Sequence, residues 1–325
     1  MNLQQWHEGG DYFMFHQNRA EQGKEEHHQD TPNAEGHRIF YRVEGPFKRK
    51  DAQATSDVHR HVNPKKAPLL FIHGYPTSSW DWAKIWPTLS EHYDCITLDM
   101  LGFGYSDKPN QAYTIREQAD IYCALLKKLN IEGCHIISHD YGDTVAQELL
   151  ARFNTQALPF TLHSLTLLNG GLFPETHHPV LMQKLLISPL GGLLVRLMNK
   201  NTLGKTLTQV FGPNTPPTQQ DIDEFWQLIS HKNGHRVMHR LIHYMVERKT
   251  YRERWVGALQ QTTVPVRLID GMLDPISGGH MVQRYKTLIP QPDVVCLNDV
   301  GHYPQVEAPE QVIEAIMRFL QSVAD

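Results

Sequence analysis

A strand, a sharp turn and a helix are predicted between residues 134 and 150, with an aspartate at the tip of the turn. The apolar run 134–137 is typical of a buried strand, and the segment 144–150 is typical of a helix. Between them lies the sequence Ser138-His139-Asp140-Tyr141-Gly142. Its small outer residues let the backbone take a strained turn and let the helix pack close beneath. Asp140 is therefore expected to project above the edge of a sheet.

A carboxylate at such an elbow restricts the chemistry. Elbows of this kind expose a nucleophile in many hydrolases, most often a serine. Attack by a carboxylate on an ester or amide carbonyl gives an anhydride with little gain, whereas attack on a saturated carbon displaces an alkoxide or a halide. Water then hydrolyses the alkyl ester at the aspartyl carbonyl. Epoxides and alkyl halides are the expected substrates. The alternative for Asp140 is a helix N-cap without a catalytic role.

A second strand followed by a turn supplies candidate hydrogen-bond donors. The apolar run 69–72 leads into His73-Gly74-Tyr75-Pro76. In folds with a nucleophile elbow, the loop after this strand and the residue after the nucleophile form the oxyanion hole. The backbone N–H groups of Tyr75 and Tyr141 are therefore the predicted donors. Pro76 is expected to fix the loop, and a cis Tyr75–Pro76 bond is one way to do so.

The general base and its acidic partner are predicted near the end of the chain. His302 follows the predicted strand 293–297, and Asp274 lies three residues after the glycine that ends the predicted strand 266–270. Asp274 would orient His302 and stabilise its protonated form. The chain order nucleophile, acid, histidine is the order expected in an α/β fold that carries this elbow.

Three other interpretations apply to these residues. Asp270 and Asp299 are rival acids, of which Asp299 is the neighbour of His302 in sequence. His302 would be an ordinary loop histidine if it had no partner, since the chain contains 20 histidines. Ser138 would be the nucleophile of a serine esterase, but it lies two residues before the tip of the elbow. We favour Asp140, Asp274 and His302.

With these motifs the sequence resembles the α/β-hydrolase superfamily, and within it the branch of epoxide hydrolases and haloalkane dehalogenases. It is most similar there to the mesoderm-specific transcript protein group. Besides the motifs above, the resemblance rests on segments 10–13, 99–109, 169–176 and 254–259 (GDYF, DMLGFGYSDKP, NGGLFPET and RWVGAL). It implies a mostly parallel central sheet flanked by helices, a core of residues 1–171 and 263–325, and an inserted helical cap at 172–262.

The resemblance also implies a small apolar electrophile and water as reactants, without a cofactor or a metal. Haloalkane dehalogenases commonly hold the halide with a tryptophan and an asparagine or glutamate, at the positions of Tyr141 and Tyr75 here. Epoxide hydrolases use two cap tyrosines. Only one of them has a counterpart in this sequence, and that counterpart is Tyr244. The predicted substrate contacts are His73, Pro76, Trp226 and Tyr244. An epoxide hydrolase-like function is favoured, a haloalkane dehalogenase is the alternative, and a catalytically weak binding protein is the alternative of another class.

Composition agrees with a single large core and a lid. The chain has 325 residues, 40% of them hydrophobic, and its formal charge of −4 gives no basic footprint for nucleic acid. Four cysteines without metal or disulfide spacing predict a reducing, cytoplasmic location. No N-terminal segment contains a long apolar run, so neither a signal peptide nor a membrane span is predicted. The protein is compatible with a monomer or a homodimer.

Two polar inserts and one apolar segment complete the prediction. Segments 17–36 and 47–66 are expected to be surface loops, and their histidine pairs, His27-His28 and His59/His61, lack a third metal ligand at useful spacing. The apolar segment 181–198 is interrupted by charges, a proline and glycines, so it is predicted to line the lid and the substrate tunnel. Contact with a membrane surface is the alternative for this segment.

Overall fold

A sheet lies at the centre of the computed structural model, which describes residues 1–17, 36–46 and 66–323. Its strands are β1 (Gly10–Phe15), β2 (His37–Glu44), β3 (Leu69–Ile72), β4 (Cys95–Leu98), β5 (Gly133–His139), β6 (Thr161–Leu168), β7 (Val266–Gly271) and β8 (Asp293–Leu297). They are arranged in the order β1-β2-β4-β3-β5-β6-β7-β8. The β1–β2 and β2–β4 pairs are antiparallel, and the other five pairs are parallel. The predicted mostly parallel sheet is confirmed.

Helices cover the sheet and form an insertion between β6 and β7. Outside this insertion the structure contains α1 (Leu3–Glu8), α2 (Trp86–Ser90), α3 (Ile115–Lys128), α4 (Tyr141–Asn154), α12 (Gly279–Leu288), α13 (Pro304–Glu307) and α14 (Pro309–Ser322). The insertion contains α5 (Leu181–Ile187), α6 (Gly191–Leu194), α7 (Lys200–Val210), α8 (Gln219–Ser230), α9 (Met238–Leu241), α10 (Tyr244–Thr250) and α11 (Arg252–Gln261). Short 3₁₀ segments lie at Ser79–Trp82, Val195–Leu197 and His231–Val237. We propose that this insertion, residues 172–262, is the cap.

The central strands form because their sequences are apolar throughout. Every residue of β3 and β4 is buried, as expected for parallel strands that are covered on both faces. Parallel strands direct their carboxyl ends to the same edge of the sheet, where ligands of α/β proteins bind. The residues that follow β3, β5, β6, β7 and β8 therefore meet at one edge. The elbow, the His-Gly-x-Pro turn and the predicted acid and base all belong to this set.

The remaining predictions about the chain have mixed outcomes. The two polar inserts lie almost entirely outside the described residues, and so do His27, His28, His59 and His61. Cys95 and Cys134 are fully buried core residues, whereas Cys123 and Cys296 are only partly buried. All four cysteines are free thiols. Among the described residues, no helix combines the length and the apolar composition that crossing a bilayer requires.

Candidate active site

Asp140 occupies the tip of a strained turn between β5 and α4. Its backbone angles are φ 46° and ψ −105°, a conformation that few residues other than glycine adopt. Gly142 permits this turn, because a Cβ atom there would lie 2.2 Å from the carbonyl oxygen of Ile72. The Asp140 side chain is 2% exposed, and its Oδ2 accepts a hydrogen bond from the backbone N–H of Tyr75 at 3.2 Å. The elbow thus holds a buried carboxylate in a fixed orientation.

His302 and Asp274 form a buried pair beside the elbow. His302 Nδ1 lies 2.7 Å from Asp274 Oδ2, which is the geometry of a base and the carboxylate that orients it. Asp274 Oδ2 also accepts hydrogen bonds from Asn169 Nδ2 at 3.0 Å and from the Ser277 hydroxyl at 2.8 Å. The backbone N–H of Ile276 donates to its other oxygen at 2.7 Å. Four donors therefore hold the Asp274 carboxylate in place.

Electrostatics favour the charged form of this pair. Burial lowers the pKa of His302, but the Asp274 carboxylate, the hydrogen bond to it and the Asp140 carboxylate outweigh burial and raise the pKa to about 9. Burial also opposes ionisation of Asp274, yet His302 and the hydrogen bonds hold the pKa of this carboxyl below its ordinary value. The resting pair is consequently an imidazolium and a carboxylate at neutral pH.

Asp270 and Ser138, the rival acid and the rival nucleophile, have other surroundings. Both carboxyl oxygens of Asp270 are buried and make no hydrogen bond within the described residues. Burial raises the pKa of Asp270 well above its usual range, so this group is a neutral acid. The Ser138 hydroxyl donates to Asp143 Oδ1 at 2.5 Å. Neither side chain is hydrogen-bonded to His302.

The predicted oxyanion hole and its loop have a defined geometry. The Tyr75–Pro76 peptide bond is cis. Tyr141 is the first residue of α4, so its N–H has no acceptor within the helix and is free to face the same site as that of Tyr75. His73 is fully buried: its Nδ1 donates to the Gly74 carbonyl at 2.9 Å, and its Nε2 accepts from the backbone N–H of Met100 at 3.0 Å. His73 therefore braces this loop, which differs from its predicted role as a substrate contact.

An apolar pocket connects this loop and His302 with the helical insertion. Its volume accessible to water-sized molecules is about 60 Å³, and it is partly open to solvent. Its wall near the sheet is formed by Tyr75, Pro76, Ile276, His302 and Tyr303, and its wall in the insertion includes Met182, Leu186, Met198, Leu203, Leu207 and Met238. Residues of the apolar segment 181–198 thus line the pocket, as predicted for a lid. Its apolar lining favours an apolar ligand.

The comparison of the sequence with known families agrees with this geometry. Residues 67–309 match the family described as alpha/beta hydrolase fold. The chain belongs to this family. Among curated relatives, the mesoderm-specific transcript homolog protein of Bos taurus is 45% identical over 267 residues, which is 78% of each chain. The hydrolase LipZ of Mycobacterium tuberculosis, named as putative, is 35% identical over 269 residues, 82% of this chain and 93% of LipZ.

More distant relatives and solved structures share the fold. A cis-3-alkyl-4-alkyloxetan-2-one decarboxylase of Shewanella oneidensis is 25% identical over 290 residues, 85% of this chain and 89% of its own length. The haloalkane dehalogenase DbeA of Bradyrhizobium elkani has a TM-score of 0.68 at 21% identity, with 97% of this chain and 99% of DbeA covered. The epoxide hydrolase CorEH has a TM-score of 0.67 at 20% identity, with 92% and 99% covered. The solved structures confirm the fold, and the relative from Bos taurus confirms the resemblance to the mesoderm-specific transcript group.

The helical insertion contains two of the predicted substrate contacts, Tyr244 and Trp226, and brings one of them to the site. Tyr244, at the start of α10, is buried with its ring centroid 5.9 Å from that of Tyr75 and 4.8 Å from that of Tyr141. Its hydroxyl makes no hydrogen bond of good geometry within the described residues. Trp226 instead packs with its ring centroid 5.8 Å from that of His235, and neither Trp226 nor Tyr244 is part of the pocket wall described above. Of these two, only Tyr244 is positioned to donate to a leaving group.

Arg248 is a site residue that the sequence interpretation missed. It lies one helical turn after Tyr244, is 3% exposed, and its Nη2 is 3.6 Å from Asp140 Oδ1. The guanidinium also lies 4.5 Å from the centroid of the Tyr244 ring. The i, i+4 spacing was the available signal, because it places both residues on one face of a helix. Sequence alone does not show that this face meets the nucleophile.

Proposed function

We propose that the protein is a hydrolase in which Asp140 attacks a saturated carbon and forms an alkyl ester. The observation that carries this proposal is a buried carboxylate at the elbow beside a histidine that is paired with a second carboxylate. His302 then removes a proton from water, and this water attacks the Asp140 carbonyl. Tyr75 and Tyr141 N–H groups would stabilise the oxyanion formed in this second step.

Strained oxygen rings, above all epoxides, are the favoured electrophiles. Tyr244 is buried near Asp140, and its hydroxyl, which lies close to the Arg248 guanidinium, can donate to the oxygen of an opening ring. Tyr75 and Tyr141 occupy the positions where haloalkane dehalogenases commonly place halide donors, and Trp226 packs against the ring of His235. The relative from Shewanella oneidensis is named for an oxetanone, which is also a strained oxygen ring. These points support an epoxide hydrolase-like activity over the alternative, a haloalkane dehalogenase. A binding protein without turnover would not need the paired base.

Covalent trapping tests the nucleophile. In His302→Gln the alkyl ester should form but not hydrolyse, so one equivalent of styrene oxide should add its mass to the peptide that contains Asp140. Peptide mass spectrometry after brief incubation measures the adduct, and His302→Gln/Asp140→Asn serves as the matched control. An adduct on Ser138, or no adduct from any epoxide or alkyl bromide, would refute the proposed mechanism.

The cap donors separate the two leaving groups. If the leaving group is an epoxide oxygen, Tyr244→Phe should slow alkylation by about a hundredfold, because a lost hydrogen bond to developing charge commonly has an effect of this order. Trp226→Phe should have little effect. Single-turnover rates for both variants on styrene oxide and on 1-bromobutane measure this. Turnover of the bromoalkane alone, with Tyr244→Phe harmless, would favour the dehalogenase.

The pKa of His302 predicts the pH dependence of the second step. Hydrolysis needs neutral His302, so its rate should rise with pH and fall about tenfold per unit on the acid side. Esterification removes the Asp140 charge, which is one of the causes that raise the pKa to about 9 in the resting enzyme. The midpoint in the ester should therefore lie below 9. Single-turnover hydrolysis rates between pH 6 and 10 test this, and a rate that decreases with pH would contradict a role for His302 as the base.

A further inference from the structure

One guanidinium nitrogen of Arg248 lacks a hydrogen-bond acceptor of good geometry among the described residues. Arg248 donates from Nη2 to the Asp140 carbonyl at 2.9 Å and from Nε to the Thr144 hydroxyl at 2.7 Å. Its Nη1 is buried and makes no hydrogen bond of good geometry to any residue that the structure describes, although the Tyr244 hydroxyl lies close to the guanidinium. Buried guanidinium donors normally have acceptors, because an unsatisfied buried polar group is unfavourable. The free Nη1 thus points to a ligand that provides one.

His177 lies next to this free nitrogen. A Cβ atom on Gly171 would lie 2.4 Å from Arg248 Nη1 and 2.9 Å from His177 Nδ1, so the two nitrogens are at most about 5.3 Å apart, the sum of these distances. Neither ring nitrogen of His177 has a hydrogen-bond partner among the described residues. Burial and the Arg248 charge lower the pKa of His177 to about 3, so the ring is neutral and offers one N–H. An oxygen between the two residues would lie within hydrogen-bond distance of both.

The charge of Arg248 must remain balanced throughout the reaction. Its neighbouring ionised carboxylate is Asp140, and alkylation removes that charge. Burial raises the pKa of Asp143, a second carboxyl close to Arg248, well above its usual range, which favours the neutral form of this group. An unpaired charge in a buried site is strongly unfavourable. A substrate that keeps a negative oxygen beside Arg248 avoids this state, whereas the alkoxide of a simple epoxide takes up a proton and becomes neutral.

We propose that Arg248 and His177 form a carboxylate-binding site beside Asp140, and that the substrate is an electrophile that carries a carboxylate or releases one on attack. This inference rests on the proposed role of Asp140 as the nucleophile. Arginine matches a carboxylate because its planar fork donates two parallel hydrogen bonds, and a second neutral donor completes the set. A halide is a single atom and would not match the two parallel hydrogen bonds that the guanidinium donates.

Two sources of the carboxylate give balanced reactions. In an oxirane carboxylate, Asp140 bonds to a ring carbon, the C–O bond breaks, and the ring oxygen takes its electron pair and a proton from Tyr244 or the His302 imidazolium. In a β-lactone, Asp140 bonds to the saturated carbon next to the ring oxygen. The electron pair of the broken C–O bond then stays on a carboxylate, and no proton is needed. Hydrolysis of the ester by water restores Asp140 in both cases.

Alkylation rates in the full-length His302→Gln protein test the site. The probes are 3-phenylglycidate, which carries a carboxylate, and its methyl ester, which is neutral and otherwise has the same structure. We expect the carboxylate to react at least about tenfold faster than the ester, and Arg248→Met to lower this ratio by about 10- to 100-fold, as expected for a hydrogen bond to a charged group. Arg248→Lys should retain part of the ratio, and His177→Ala should lower it less than Arg248→Met. If the carboxylate reacts no faster than the ester in His302→Gln with Arg248 intact, the proposed site is overturned. This outcome does not depend on whether the Arg248 variants fold.

Further probes separate the two sources and the two proposals. If Arg248→Met slows alkylation by β-butyrolactone more than alkylation by styrene oxide, Arg248 binds a carboxylate that leaves on attack. If Arg248→Met slows only the reaction of 3-phenylglycidate, Arg248 binds a carboxylate that is a substituent of the substrate. An Arg248 effect confined to 1-bromobutane overturns the site in favour of halide binding. Calorimetric titration with unreactive 3-phenylpropionate provides an independent readout. Arg248-dependent binding without any Asp140 adduct would refute the nucleophile but support the carboxylate site, and adducts with no charge preference would do the reverse.

Discussion

Asp140→Asn is expected to lower kcat on an accepted epoxide by a factor on the order of 10⁴ to 10⁶, the range seen when a nucleophile is removed from a catalytic triad. Asparagine has the size of aspartate, tolerates the positive φ of 46° at this position, and still offers an oxygen to the Tyr75 N–H. It lacks only the nucleophilic charge. The measurement is kcat on freshly purified protein, with intact mass to establish that residue 140 is still an amide.

Ser138→Ala is the matched control for this prediction. The Ser138 hydroxyl is hydrogen-bonded to Asp143, so its loss should change kcat by less than about tenfold. The opposite pattern, with Ser138→Ala inactive and Asp140→Asn active, would show that the protein is a serine esterase. Circular dichroism of both variants distinguishes a loss of chemistry from a loss of folding.

The elbow and the order of the site residues could be predicted because their signals are local. A buried strand, a turn with small residues and a helix define the position of Asp140 within five residues of sequence. The same applies to His302 and Asp274, each of which follows a strand of a parallel sheet. Since such strands place their carboxyl ends at one edge, adjacency in space follows from the fold class. The cis bond at Pro76 is likewise local.

The contacts of the helical insertion could not be predicted in this way. Arg248 and Asp140 are 108 residues apart, and their proximity depends on how α10 packs over α4. The same packing places Tyr244 against the rings of Tyr75 and Tyr141, whereas Trp226 packs against His235, although both were predicted substrate contacts. His73 was assigned to the substrate because of its motif, but its ring nitrogens bind the backbone of two loops. Local patterns identify a residue as polar and near the site, but the direction of its side chain depends on tertiary contacts.

Asp270 shows why a second carboxylate near the same strand end is not equivalent to Asp274. Asp270 lies within β7, where it is buried without a hydrogen-bond partner and is held neutral. Asp274 lies in the loop beyond the strand, where Ile276, Ser277 and Asn169 donate to it. Hydrogen bonds to a carboxylate favour its charged form, and only a charged group stabilises the imidazolium. The sequence position of each residue relative to the strand end therefore decides its protonation state.

Asp274→Asn should lower kcat by a factor on the order of 10³ to 10⁴, the effect of the same change in a catalytic triad. An amide has no charge to stabilise protonated His302 and can present its NH₂ group to Nδ1, which reverses the hydrogen bond that orients the ring. Because the Asp274 carboxylate is the main favourable influence on the pKa of His302, the midpoint of ester hydrolysis should also shift to lower pH. Single-turnover hydrolysis rates measured across pH test both effects.

Asp270→Asn is the matched control for Asp274→Asn, since it makes the same chemical change at a buried acid of the neighbouring strand. A neutral carboxyl group and an amide have nearly the same shape, so this variant should keep kcat within a few-fold and leave the pH midpoint unchanged. A full loss of activity in Asp270→Asn together with normal turnover in Asp274→Asn would reassign the acid. Loss in both variants with an unchanged midpoint would mean that the packing of β7, and not the charge of Asp274, controls the rate.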